Sequence, residues 1–309
     1  MNRRDFLCGT ACILASVKLW EILKTKKSQD NENIQFGFNI ALASHCNLNC
    51  KYCDTYSPLS KQEFATYDQV IKDLKKMKKL LNDTNHFDGG FIGGEALLNP
   101  ELEKIIEKII KLFPNGQKTI LTNGLLLNNK GDYFWDLMKR ANIEFGITHY
   151  PIKIDRKKYE ELAKKHDVKI TYHYVQSNKL YDLNTRQVIH NNYNQDGFQW
   201  SQNIIDLTGS QEIKTDCQHK GIITYARGNI YACYVHAHIN AFKEYFNKDI
   251  KITEEDYLKV QDIKTKEEYF NFLETPKPLC KYCKQCHNTC FGGEPLEWGF
   301  SEKKITEWT

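Results

Sequence analysis

A long apolar run is missing from this 309-residue chain. The apolar stretch near the N-terminus, residues 6–17, is about 12 residues long, whereas a helix that crosses a membrane needs about 20. A strong charge excess is also missing, because the net charge is only +4. A charge this small over this length argues against a nucleic-acid-binding protein. With 41% hydrophobic residues and both charge signs interspersed, the composition predicts a folded protein with a full core.

Cysteine, in contrast, is abundant, with 11 residues in the chain. Nine of them fall into groups with motif-like spacing: Cys46, Cys50, Cys53, Cys217, Cys233, Cys280, Cys283, Cys286 and Cys290. A chain of this size does not need disulfides to complete its core. The grouping therefore predicts metal ligation in a reducing compartment.

The first group, Cys46, Cys50 and Cys53, has the spacing C-x3-C-x2-C and follows a short apolar segment, residues 36–42, that predicts a buried strand. An ordinary iron–sulfur cluster takes four cysteines, and a closed structural zinc site also takes four ligands. Three cysteines with no fourth nearby leave one metal position open for another ligand. A zinc loop or a redox pair is the alternative at this point.

Strand and helix patterns alternate after this loop, which predicts parallel βαβ units and an α/β fold. About five units are present, and we expect an open partial (β/α) barrel in preference to a flat sheet. The predicted strands are 87–92, 117–122, 143–148 and 168–174, and the predicted helices are 67–81, 100–113, 133–141 and 156–166. Residues 176–216, rich in Asn, Gln and aromatics, are expected to form a long loop that bridges two domains. Binding of a polar substrate such as a sugar or peptide is the alternative for this segment.

Gly93, Gly94 and Glu95 follow the predicted strand 87–92. A glycine pair at the end of a strand lets another group approach the backbone closely, although a tight turn explains it equally well. Glu95 can accept a hydrogen bond from an ammonium group. Asn123 lies at the end of the next predicted strand.

The cysteine loop and the GGEALLNP segment at 93–100 together resemble the radical S-adenosylmethionine (SAM) enzymes. The resemblance implies a partial (β/α)6-type barrel with a [4Fe-4S] cluster on Cys46, Cys50 and Cys53. In that family the open iron binds SAM, whose reductive cleavage gives a 5′-deoxyadenosyl radical. The resemblance implies that Tyr52, Gly93, Gly94, Glu95 and Asn123 contact SAM. Ala96 departs from the family, which usually has proline there.

The second cysteine group has the spacing C-x2-C-x2-C-x3-C at 280–290, with Cys217 and Cys233 upstream and Gly228 in a predicted hairpin over 222–234. It resembles the SPASM or twitch extension of radical SAM enzymes, which holds auxiliary clusters. The chain departs from the full SPASM pattern because no cysteine follows Cys290.

One alternative for the ligands of this region is a single [4Fe-4S] cluster on Cys217, Cys233, Cys280 and Cys283. The other is two clusters, one on Cys217, Cys233 and Cys290 and one on Cys280, Cys283 and Cys286. Four histidines near these cysteines are candidate substitutes for a missing ligand: His219, His236, His238 and His287. A zinc knuckle is the remaining interpretation.

These patterns divide the chain into a leader with a linker (1–33), a radical SAM core (34–210) and a cysteine-rich auxiliary-cluster domain (211–309). The leader resembles a twin-arginine signal at Arg3 and Arg4, which leaves membrane contact or export as an alternative to a cytoplasmic enzyme. The enzyme is expected to take its electron from a reductant such as flavodoxin or ferredoxin.

The substrate is expected to be a small molecule, glycan or peptide. The segment CNLNCKYCDTYSPLS and the tryptophans near the C-terminus resemble radical SAM proteins of bacterial surface-polysaccharide loci, which implies a sugar or a surface-polysaccharide precursor. A peptide- or protein-modifying maturase is the alternative enzyme, and a non-catalytic iron–sulfur electron carrier is the alternative class. The sequence indicates no particular residue for substrate binding or proton transfer.

Overall fold

The computed structural model describes residues 37–197, 205–211, 213, 222–284 and 296–309. Its strands are β1 (Asn39–Ala43), β2 (Gly89–Gly93), β3 (Lys118–Thr122), β4 (Ile143–His149), β5 (Ile170–Tyr174), β6 (Ser177–Tyr181), β7 (Val188–Gln195), β8 (Thr224–Ala226), β9 (Asn229–Tyr231) and β10 (Tyr257–Lys259). Its α-helices are α1 (Tyr67–Leu80), α2 (Leu102–Leu112), α3 (Asp132–Arg140), α4 (Lys157–Lys165), α5 (Tyr234–Tyr245) and α6 (Lys266–Glu274).

Eight strands form one sheet in the order β10-β9-β8-β1-β2-β3-β4-β5. Strands β1 to β5 are parallel neighbours, and α1 to α4 connect them in turn. The predicted α/β class is therefore confirmed, with four βα units followed by a fifth parallel strand. The sheet has two edges, β10 and β5, so it is open, as expected for a partial barrel.

Helix α1 shows why these segments fold as the periodicity predicts. Thr66 caps its N-terminus by accepting a hydrogen bond from the Gln69 backbone N–H at 3.4 Å. Its apolar residues recur every three or four positions and are buried under the sheet: Val70, Ile71, Leu74 and Met77. The lysines between them lie on the other faces of the helix.

The predicted hairpin at 222–234 is also confirmed. Arg227 and Gly228 form its two-residue turn, both with positive φ (51° and 81°), as the tight turns of β-hairpins require. Strand β8 pairs in parallel with β1, and β9 and β10 continue the sheet in antiparallel fashion. Strands β8 and β9, which follow Cys217 in sequence, thus extend the sheet that carries the first cysteine loop.

A buried polar cluster fixes this extension to α1. Asp73 is 1% exposed and accepts hydrogen bonds from the Tyr225 hydroxyl and from the Gln69 amide, both at 2.7 Å. Gln261 donates to the other Asp73 oxygen. Each buried polar group in the cluster therefore has a partner, which is the condition for stabilisation in a low-dielectric interior.

The expectation of a long loop over 176–216 is wrong for its first half. Strands β6 and β7 form a separate antiparallel pair there. Most side chains of β7 are exposed, and its centre is the amide-rich segment His190 to Asn194. Asn and Gln have low strand propensity and a solvated pair shows no strong apolar alternation, so the sequence carried little strand signal.

No helix in these described ranges is long and apolar enough to cross a membrane. The leader expected at 1–33, with its twin-arginine pattern, lies outside the described residues.

Candidate metal centre

The structure brings Cys46, Cys50 and Cys53 together in the loop that leaves the carboxyl end of β1. Cys50 is 3% exposed, and the other two thiols are partly buried beside it in a cluster that includes Leu48 and Trp298. The carboxyl edge of parallel strands is where α/β proteins bind ligands. The strand-then-loop prediction for the first cysteine group thus agrees with the structure.

Hydrogen-bond donors surround two of these sulfurs. The Leu48 backbone N–H donates to Cys46 Sγ at 3.3 Å, and Asn123 Nδ2 lies 3.4 Å from the same sulfur. Thr55 Oγ1 lies 3.3 Å from Cys53 Sγ. Donors of this kind stabilise the thiolate form, which is the form that binds metal.

Burial raises the pKa of all three thiols, and the neighbouring sulfurs raise the pKa of Cys50 further. The indole of Trp298 and the hydroxyl of Tyr150 act in the opposite direction on Cys50. Three buried thiolates need a compensating positive charge, and bound metal supplies it by deprotonating its thiol ligands. This donor set fits an iron–sulfur cluster.

In the part of the chain that the structure describes, no three His, Cys, Asp or Glu side chains are grouped as ligands of one metal ion.

Gly93 and Gly94 lie where β2 meets the start of the cysteine loop. A Cβ on Gly93 would lie 2.2 Å from the Ala43 carbonyl oxygen, and a Cβ on Gly94 would lie 2.2 Å from the His45 carbonyl oxygen. The Gly94 N–H donates to Ala43 O at 2.8 Å, and the Glu95 N–H donates to His45 O at 3.0 Å. The two glycines thus let the backbone of residues 43–45 approach β2, which sets the position of the loop.

Glu95 is 1% exposed, and three donors hold its carboxylate. Leu97 N–H and the Thr122 hydroxyl donate to Oε1 at 3.0 and 2.9 Å, and Asn123 N–H donates to Oε2 at 2.9 Å. Burial raises the pKa of this carboxyl, and the three hydrogen bonds oppose the rise. One acceptor position remains on Oε2.

Asn123 connects this carboxylate to the first thiol. Its backbone N–H binds Glu95, while its side-chain amide donates to Asn47 Oδ1 at 2.8 Å and approaches Cys46 Sγ. Tyr52 lies inside the cysteine loop, partly buried, with a left-handed backbone (φ 56°). The structure thus places Tyr52, Asn123, Gly93, Gly94 and Glu95 on or directly beside the cysteine loop.

The described auxiliary cysteines lie in a second neighbourhood. Cys233 precedes the first residue of α5, and Cys283 packs in the same buried apolar cluster. Cys280 Sγ lies 3.8 Å from Nε2 of His236, a buried residue of α5. The predicted ligands Cys217, Cys286 and Cys290, and the histidines His219 and His287, lie outside the described residues.

Tyr56 contacts both the cysteine loop and the buried apolar cluster that contains Cys283. Its side chain is fully buried with Cys283, and its backbone N–H donates to Cys53 O at 3.0 Å. Asp54 lies next to it, and burial raises the pKa of its carboxyl to about 6. The structure therefore places the second cysteine group on the side of the loop that Cys53 and Tyr56 occupy.

Trp298 and Trp308 are the site residues for which sequence analysis gave no role. Both are fully buried against the cysteine loop, although they lie about 250 residues after it. Their only sequence signal was two tryptophans close together near the C-terminus, and nothing in that spacing indicates what they contact.

Comparison with known proteins agrees with this geometry. Residues 40–189 match the Radical SAM superfamily. The chain is 31% identical over 91 residues to GTP 3′,8-cyclase of Streptomyces coelicolor and 34% identical over 96 residues to molybdenum cofactor biosynthesis protein 1 of Dictyostelium discoideum. These segments cover 28% and 30% of this chain, but only 25% and 15% of the respective relatives.

A solved structure, anSMEcpe with bound AdoMet, has the same fold. It superposes with a TM-score of 0.50 at 18% identity, over 89% of this chain and 96% of that one. At this identity the likeness concerns the fold and not the substrate. Radical SAM enzymes use a [4Fe-4S] cluster and SAM, the cofactors for which the three-cysteine loop is suited. Over residues 40–189, nearly half of its length, the chain is thus similar in sequence to the Radical SAM superfamily.

Proposed function

We propose that this chain reductively cleaves SAM and removes a hydrogen atom from a substrate. The observation that carries the proposal is the placement of Cys46, Cys50 and Cys53 in one buried loop at the carboxyl edge of the sheet, within a radical SAM domain. A reduced [4Fe-4S] cluster with SAM on its open iron supplies a 5′-deoxyadenosyl radical, with the electron coming from a protein such as flavodoxin or ferredoxin.

The surrounding residues orient these ligands. Leu48 N–H and Asn123 hold Cys46, and Thr55 holds Cys53. Glu95 has one acceptor position left on Oε2, which suits the ammonium group of SAM. Gly93 and Gly94 act through the backbone, because they fix the distance between β2 and the loop.

The second part of the proposal is at least one auxiliary [4Fe-4S] cluster. The neighbourhood shared by Cys233, Cys280 and Cys283 supports it, since Cys280 and Cys283 belong to one short turn that packs against the start of α5. Cys217 is the fourth ligand in the single-cluster arrangement. The two-cluster arrangement, which adds Cys286 and Cys290, would hold more iron per chain than the single-cluster arrangement.

A sugar or a surface-polysaccharide precursor is the substrate that we propose. The sequence resemblance supports this class, and the exposed, amide-rich strand β7 suits polar recognition of hydroxyl groups. GTP 3′,8-cyclase is named for a nucleotide substrate, but the matched segment covers only a quarter of that protein and gives no substrate for this chain. A peptide substrate is the alternative.

An anaerobic assay tests the proposal. The reconstituted chain, with dithionite and SAM, should form 5′-deoxyadenosine, and the Cys50→Ala variant should form none. Deuterated sugar nucleotides and deuterated peptides are then compared as substrates, and the true substrate class transfers deuterium into 5′-deoxyadenosine. Product from Cys50→Ala at the wild-type rate would overturn the assignment. A protein that holds its iron and sulfide but cleaves no SAM with any substrate would be an electron carrier.

A further inference from the structure

The C-terminal residues 296–309, called here the C-terminal strap, lie directly on the cysteine loop. Lys51 N–H donates to Gly299 O at 2.8 Å, and Ser301 N–H donates to Asn49 O at 2.8 Å. These bonds flank an antiparallel bridge between Cys50 and Phe300. The middle cysteine of the loop is therefore held by a short two-stranded ladder with the strap.

The strap buries one indole beside this cysteine. Trp298 is 0% exposed and shares an apolar cluster with Cys50. Its ring lies 5.4 Å from that of Tyr150, 5.3 Å from that of Tyr181 and 5.2 Å from that of Phe300. The Tyr181 hydroxyl donates to Trp298 O at 3.1 Å, which fixes the backbone as well.

One polar atom in this packing has only a sulfur to bind. Trp298 Nε1 is buried and makes no well-formed hydrogen bond to a described residue, but its indole lowers the pKa of the neighbouring Cys50 thiol. An unpaired buried N–H costs about 1–3 kcal/mol, so its retention needs a reason. The neighbouring sulfur of Cys50 becomes a strong acceptor when it is a thiolate ligand, and a thiolate can accept this N–H.

We propose that Trp298 is a positioning residue whose indole N–H donates to the Cys50 thiolate when the cluster is bound. A hydrogen bond to a cluster sulfur stabilises the reduced, more negative state and raises the reduction potential. The strap thereby adjusts how readily the SAM-site cluster accepts its electron. This inference rests on the proposed cluster at Cys46, Cys50 and Cys53.

Trp298→Phe tests the inference because it keeps the aromatic ring and removes only the N–H. The reduction potential of the SAM-site cluster is measured by an EPR-monitored titration of the full-length reconstituted chain. Trp298→Phe should shift it to a more negative value with no loss of iron. Trp308→Phe is the matched control, because the Trp308 indole donates to the backbone oxygen of Cys53 and not to a sulfur. An unchanged potential in Trp298→Phe, or an equal shift in both variants, would overturn the inference.

A second measurement needs no substitution at Trp298. In wild-type protein grown with ¹⁵N-indole tryptophan, pulsed EPR of the reduced cluster should detect a coupled ¹⁵N nucleus that persists in Trp308→Phe. The absence of this coupling from a loaded cluster would overturn the inference, even if Trp298→Phe failed to fold. Failure of the proposed function would give a different result from failure of this inference. Cys50→Ala would then hold as much iron as the wild type, because Cys50 would not be a cluster ligand.

Discussion

The indole Nε1 of Trp308 donates a hydrogen bond to the backbone oxygen of Cys53 at 2.9 Å, across 255 positions in the sequence. Together with the ladder between Cys50 and Phe300, this bond joins the C-terminal strap to the cysteine loop at two of the three proposed ligands. The loop, which lies near the start of the described chain, is therefore held by residues at its other end. Its geometry depends on packing from outside residues 40–189, the range that matches the Radical SAM superfamily.

Trp308→Phe should lower the free energy of unfolding by about 1 kcal/mol more than a matched control, because it removes one buried hydrogen bond. The cost stays modest because Cys53 O also accepts a bond from Tyr56 N–H. Trp135→Phe is the control, since Trp135 is equally buried and its Nε1 has no partner among the described residues. Urea unfolding of both variants measures the difference, and an equal effect would mean that the bond does not stabilise the fold.

Gly94→Ala should displace the cysteine loop. Its new Cβ would lie 2.2 Å from the carbonyl oxygen and 2.3 Å from the carbonyl carbon of His45, so the backbone must move. We expect a loss of more than about 2 kcal/mol of stability and a lower iron content after reconstitution. Gly131→Ala is the control, because nothing lies within 4 Å of its added methyl group, and we expect less than about 1 kcal/mol there. Wild-type iron content in Gly94→Ala would refute this role.

Cys233→Ala should separate the two clusters. The structure places Cys233 at the start of α5, in the apolar cluster of Cys283, whereas Cys50 belongs to a different one. We therefore expect Cys233→Ala to lose part of the iron and to keep measurable SAM cleavage, while Cys50→Ala loses cleavage. Iron analysis with the 5′-deoxyadenosine assay makes the comparison. Full iron retention in Cys233→Ala would remove this residue from the ligand set.

His238 should make the fold sensitive to acid. Burial and the Arg227 charge lower its pKa from 6.5 to about 3 in the folded chain. Between these values the unfolded chain binds more protons, so stability falls as the pH drops below about 6.5. For one such histidine the loss is about 2 kcal/mol between pH 7 and pH 5.

His238→Gln tests this sign directly, because glutamine does not titrate. Between pH 7 and pH 5, its unfolding free energy should fall by about 2 kcal/mol less than that of the wild type. His190, an exposed residue of β7, provides a control for the replacement of histidine by glutamine at the surface. A His238→Gln chain with the full wild-type dependence would assign the acid sensitivity to other groups.

Periodicity predicted the core of this fold because its helices and strands have one apolar face each. Val70, Leu74 and Met77 repeat at helical spacing, and strand β3 alternates between buried and partly buried residues. The β6–β7 pair escaped prediction for the opposite reason. Its side chains are mostly solvated, so its strands owe their position to backbone pairing and not to an apolar pattern.

The site was predictable where one short segment carries the chemistry. Cys46, Cys50 and Cys53 are neighbours in sequence; their spacing predicted a metal site with one open position, and the family resemblance implied that it holds a [4Fe-4S] cluster. Glu95 and Asn123 were predicted as ligand residues, but the bonds that join them to each other and to Cys46 come from adjacent strand ends in the folded sheet. Trp298 could not be predicted, because its contact with Cys50 exists only after the strap has packed across the loop.

EPR spectroscopy of the reduced protein, before and after addition of SAM, tests the central claim most directly. If Cys46, Cys50 and Cys53 hold a [4Fe-4S] cluster with one open iron, saturating SAM changes the spectrum of that cluster, and Cys50→Ala abolishes the change. A fully loaded protein whose spectrum is the same with and without SAM would contradict the account, because no iron would then be open to SAM.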